Sequence, residues 1–110
     1  MPRFIVSGSY TAVAMKAMVA NPGDREGTVR AVVEAAGGRL ESYLLTTGKT
    51  DFTVTVTVDD VTNLLAGLLA TGASGAISNL KTVQAFTSDE FTAMQKKAGA
   101  IASVYKAPGS

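Results

Sequence analysis

The sequence predicts an α+β domain in which an antiparallel sheet carries helices on one face. Three observations lead there. Phe52, Val54, Val56 and Val58 alternate with Thr53, Thr55 and Thr57, the period-two pattern of a strand with one apolar and one hydroxylated face. Two stretches, Val29-Val32-Val33-Ala36 and Val61-Leu64-Leu65-Leu68-Leu69, repeat apolar residues at helical spacing. Glycine, asparagine-proline and acidic cap signals then separate the segments into the order strand, helix, strand, strand, helix, strand, helix.

Each element has a local cause. Arg3 to Gly8 is a strand-like run, and Ser9-Tyr10-Thr11 closes it before an alanine- and methionine-rich helix from about Thr11 to Ala20. Asn21-Pro22-Gly23 interrupts that helix, and a second begins near Asp24. Gly37-Gly38 ends it, a glycine supplying the positive φ of a helix C-terminus. Arg39–Thr46 and Asp51–Val58 follow as two strands joined across Gly48, a connection that fits an antiparallel hairpin. Asp59-Asp60 places negative charge at the start of the leucine-rich helix. A loop at Thr71–Gly75 leads to a strand around Leu80–Phe86. Thr87 and Glu90 have capping-box spacing, opening a last helix with Phe91, Met94, Ala98 and Ile101 on one side. This is the ferredoxin-like βαββαβ order with an added C-terminal helix, residues 1–105 forming one domain and 106–110 a frayed tail.

Composition limits the chemistry. At 110 residues the chain is long enough for one core of its own. With 46% hydrophobic and 17% charged residues it is not a disordered sequence, and apolar surface is left over for self-association. A net charge of +1, with lysines scattered, argues against nucleic acid as a partner. Without cysteine or histidine there are no disulfides, no thiolate or imidazole ligands and no histidine-based triad. No run resembles a signal peptide or reaches the length of about 18 apolar residues expected of a membrane span, so a cytoplasmic location is expected. No cofactor is implied.

The two-faced strand directs attention to assembly. The valines are expected to meet the helices, leaving Thr53, Thr55 and Thr57 on the helix-free face, half-solvated or facing a second copy.

At Gly48-Lys49-Thr50-Asp51 the chain resembles the GYD-domain family, small bacterial proteins named for a Gly-x-Tyr-Asp turn between the second and third strands. Tyr10-Thr11, Gly37-Gly38-Arg39-Leu40, Thr82–Thr87 and Asp89-Glu90-Phe91 extend the similarity over most of the chain. Gly48 and Asp51 match the motif, whereas Thr50 stands at the tyrosine position. The resemblance implies a ferredoxin-like fold that associates through its sheet as a dimeric α/β barrel, with no firmly assigned activity. Related barrels include haem enzymes, cofactor-free monooxygenases and isomerases, so the fold does not choose a function.

Candidate chemistry is sparse. Asp51 beside the glycine turn could act as a base, although aspartate in turns also satisfies nearby backbone donors. Tyr10 and Tyr43 could bring phenols to a pocket between sheet and helices, or simply pack. Arg39 and Lys81 could bind a carboxylate, or remain solvated strand charges. Lys49 and Thr50 read as exposed turn residues, and Met15 and Met18 as core filling or an adaptable surface. Gly72 and Gly75 lack the lysine and hydroxyl residue of a phosphate loop. Asp59-Asp60 and Asp89-Glu90 sit where helix N-termini favour negative charge. The expected protein is a homo-oligomer with a structural role or one that binds a small apolar or carboxylated molecule. A cofactor-independent isomerase or oxygenase using Asp51 with Tyr43 or Tyr10 is the alternative, and an adaptor built on the Ala/Met-rich helix is a third.

Overall fold

The computed structural model describes residues 1–109; of the expected frayed tail, Ser110 lies outside the described residues. The elements run β1 (Arg3–Tyr10), α1 (Ala12–Ala20), α2 (Arg25–Ala35), β2 (Arg39–Leu45), β3 (Phe52–Thr57), α3 (Val61–Ala73), β4 (Ile77–Ala85) and α4 (Ser88–Ala102). All four strands are antiparallel in one sheet of order β2-β3-β1-β4, the α+β arrangement of ferredoxin-like domains with α4 added.

Alternation along β3 does what its sequence demands. Phe52, Val54, Val56 and Val58 are all buried, and with Phe4, Val33, Leu40 and Leu64 they make one core between the sheet and helices α2 and α3. Gly38 lets β2 enter this core closely: a Cβ there would lie 2.6 Å from the Thr57 carbonyl oxygen. Helix starts follow their caps. Thr11, Asp24, Asp60 and Thr87 each accept a backbone N–H with their side chains, and Thr87 and Glu90 complete the reciprocal capping box.

Two β-bulges shift the strands from simple alternation. In β2 the register slips between Leu40, opposite Val56, and Ser42, opposite Thr55. The extra residue, Glu41, changes the parity, so Leu40 and Tyr43 both reach the core face although they are three residues apart. In β4 the register slips opposite Ser7 and Ser9 of β1, around Asn79, which has φ 54°. Asparagine tolerates this left-handed conformation better than most residues. Ile77 and Leu80 consequently both pack on the core. This bulge is why the fourth strand begins at Ile77 and not near Leu80: strict alternation fails there while pairing to β1 continues. Helix α3 also runs through Gly72 to Ala73, where a loop is expected from the glycine, because its leucine face anchors the preceding turns.

No helix is long and apolar enough to cross a membrane, among the described residues.

Candidate ligand cavity

An apolar cavity of about 100 Å³ lies between α2, α3 and the core face of the sheet. Val29, Val32, Val54, Leu64 and Leu68 contribute its greasy wall. Its polar groups are few, and the principal ones come from three separate elements: Tyr10 at the end of β1, Tyr43 on β2, and Arg25 in the first turn of α2. An apolar pocket with a small number of converging polar groups is the usual form of a small-molecule site.

The tyrosines form the organised part. Their hydroxyl oxygens are 2.6 Å apart, a short O–H···O hydrogen bond. Because each phenol has one proton, one hydroxyl donates to the other and the acceptor keeps its own O–H free for a further partner. Ring packing fixes the geometry, with the Tyr10 and Phe52 centroids 5.3 Å apart and inclined at 45°. Burial pushes the Tyr43 phenol well above the usual tyrosine range, and the hydrogen bond to Tyr10 adds to the shift. Tyr43 is therefore a neutral hydrogen-bonding group near neutrality and not a phenolate base.

Asp51 stands behind the pair. Its Oδ2 accepts the backbone N–H of Tyr10 at 2.9 Å, while its own N–H donates to the Gly8 carbonyl at 2.7 Å. The carboxylate does not line the cavity. The surrounding turn is tied to the same strand end: the Ser9 hydroxyl donates to the Lys49 carbonyl at 3.3 Å, and the Thr46 hydroxyl to the Thr50 carbonyl at 2.8 Å. Gly48 has φ 97°, a conformation that side-chain-bearing residues avoid. Asp51 and the Lys49 carbonyl thus hold the end of β1, and with it Tyr10, while Gly48 and Thr50 shape the turn that presents them.

Arg25 is the residue that sequence reasoning missed. It lines the cavity half-buried, and among the described residues it is in none of the ion pairs, which are Arg3–Glu90, Arg30–Glu26 and Arg39–Glu41. The only signal was its position one residue after the Asp24 cap, facing the same way as Val29 and Val32. Arg39 and Lys81 lie elsewhere: Arg39 is an exposed partner of Glu41 at 3.6 Å, and Lys81 is exposed on β4.

Thr53, Thr55 and Thr57 face away from the core. The first two are half-buried, and Thr57 is buried within the single chain, its hydroxyl donating to Glu41 Oε1 at 3.1 Å. Around them Leu44, Val83 and Ile5 leave apolar surface exposed on the helix-free face. Met15 is exposed and Met18 half-buried on α1, which contributes no buried residue. No group of three or more acidic side chains is placed to hold a metal, among the described residues.

The GYD domain family model matches residues 4–94, from the first strand into α4. Neither a curated protein nor a solved structure matches the chain.

Proposed function

The chain belongs to the GYD domain family, and we propose from its cavity that it is a homo-oligomeric binding protein for a small, mainly apolar molecule carrying a carboxylate or carbonyl group. One observation carries this reading: a hydrogen-bonded pair of phenols, with one O–H to spare, lines a mainly apolar space beside an arginine that has no ion-pair partner among the described residues.

Size narrows the ligand. Cavities of about 150 Å³ accept benzene, and drug-sized ligands need roughly 300 Å³ or more. A space of about 100 Å³ falls short of that, so it holds a short branched chain whole, or a single ring in part with the rest at its open side. The free phenol O–H calls for an acceptor on the ligand, and the Arg25 guanidinium favours a negative one. Binding is favoured over catalysis because Asp51 is committed to the Tyr10 N–H outside the cavity and Tyr43 remains neutral. Assembly is supported by the Leu44, Val83 and Ile5 surface of the helix-free face, which a second sheet would remove from water.

Calorimetric titration with benzoate, benzyl alcohol and toluene tests the ligand class. Benzoate should bind tightest, and Arg25→Gln should reduce its affinity by about 10-fold while leaving toluene nearly unchanged, as expected for a charge-assisted contact. Equal affinity for all three, unaffected by Arg25→Gln, would remove the carboxylate specificity; no binding of any of them would remove the cavity reading.

A further inference from the structure

The structure is much longer than a folded chain of its size should be. Its radius of gyration is 18.2 Å and its longest dimension 63 Å, whereas a compact domain of 110 residues has a radius of about 13 Å. Helix α4 is the cause: it buries no residue of its own and leaves the body after the two-residue link Phe86-Thr87. The capping box and the 3.4 Å contact between Arg3 and Glu90 fix only its first turn. Phe91, Met94, Ala98 and Ile101 follow at spacings of three and four, the pattern of one helix face. Ile101 is 65% and Phe91 57% exposed. An isolated helix of 15 residues is marginal in water, so such a face calls for a partner.

The chain also carries the complementary surface. Helix α3 has no charged residue in its 13 positions. Leu64 and Leu68 turn toward the core, while Val61, Leu65 and Leu69 make a second stripe on the outside, with Leu69 75% exposed. Beside that stripe Gly72 and Ala73 lower the surface, and with Leu65, Leu68, Leu69 and Leu80 they line an open apolar groove. A helix apolar on two sides is built to be covered on two sides.

We propose that α4 of one copy docks in the α3/β4 groove of a second copy, the two copies exchanging arms. The match is one of length as well as chemistry: at 1.5 Å per residue α3 extends about 20 Å and α4 about 22 Å. Every copy has one unmatched groove and one unmatched amphipathic helix, so a two-fold exchange satisfies both at once, as a closed dimer requires. Two such helix contacts can together reach the roughly 1,600 Å² typical of a stable interface. This inference rests on the homo-oligomer reading but not on the sheet-to-sheet contact or on the ligand.

Because the chain contains no cysteine, disulfide trapping tests it directly. A Leu69→Cys chain is mixed with a mass-tagged chain carrying Phe91→Cys, Met94→Cys, Ala98→Cys or Ile101→Cys in turn, and oxidised. The expected result is a cross-link between the two chains at one or two of the four positions. Sedimentation should show a dimer whose dissociation constant rises at least about 30-fold in the Phe91→Asp/Ile101→Asp variant, with unchanged near-ultraviolet circular dichroism, since neither side chain belongs to the core. Three results overturn the proposal: a wild-type monomer at 100 micromolar, on the order of a weak-complex concentration; a cross-link that forms only within one chain carrying both cysteines; or a persistent dimer without any cross-link. If in the last case Thr55→Lys makes the protein monomeric, the sheet contact stands and the arm exchange fails.

Discussion

At the scale of single residues, the Tyr10–Tyr43 pair and Asp51 are linked by cause. Asp51 holds the Tyr10 backbone, which sets the Tyr10 hydroxyl against that of Tyr43. Asp51→Ala should therefore destabilise the fold by about 1–3 kcal/mol, the range for losing a hydrogen bond to a charged group. Asp51→Asn, which keeps an acceptor, should recover most of that loss in urea denaturation. The pH dependence has a definite sign. Tyr43 has a raised pKa in the folded chain, so its contribution is complete below the unfolded value of about 10 and is lost as pH climbs from there toward the folded value. Urea midpoints measured from pH 9 to 11 should fall less steeply in Tyr43→Phe than in the wild type. Both tyrosines were legible as candidates, because a phenol near a strand end can reach a pocket between sheet and helices. Arg25 was not, since one arginine in the first turn of a helix resembles any solvated charge until the cavity is seen beside it.

Among the elements, the helices and the hairpin were readable because caps and periodicity agree: Asp60 and Thr87 start helices where their spacing to Thr62 and Glu90 requires. The bulges were not readable. Glu41 and Asn79 each insert a residue without a distinctive signal, and each changes which side chains share a face. Without the Glu41 bulge, alternation from Leu40 would send Tyr43 to the helix-free face, so the candidate site depends on a feature hidden in the sequence. Two element-scale outcomes follow. Gly38→Ala should cost at least about 2 kcal/mol, because a Cβ 2.6 Å from the Thr57 carbonyl forces the backbone apart. Acid should weaken the starts of α3 and α4: the Thr62 hydroxyl lowers the Asp60 pKa and the Thr87 N–H lowers that of Glu90. Their capping contribution is present above the ordinary carboxylate range and is lost as pH falls through the depressed values. Amide exchange at Thr62 and Thr87, whose N–H groups donate to the Asp60 and Glu90 carboxylates, should therefore lose protection below about pH 4.

For the whole molecule, the sequence signalled surplus apolar surface but did not show where it lies. The structure distributes it over the helix-free sheet face, the outer stripe of α3 and the extended arm α4. Capping and amphipathicity make α4 a helix, but they are local properties and carry no information about which surface receives it. The cavity lies on the opposite side of the sheet from Thr53 and Thr55, so a sheet-to-sheet contact would leave the proposed ligand site untouched. Thr55→Lys should accordingly weaken a sheet-mediated dimer in sedimentation while changing benzoate affinity by less than about twofold, as expected for uncoupled sites. Nuclear magnetic resonance with benzoate decides whether the Tyr10–Tyr43–Arg25 cavity receives a small carboxylate. Saturable shifts of the Tyr10 and Tyr43 ring protons and the Arg25 Nε–H are expected, with ligand-to-Val29 and ligand-to-Leu68 proton contacts; saturable binding with contacts only on the outer surface, or no saturable shift at all, would rule the cavity out as the site.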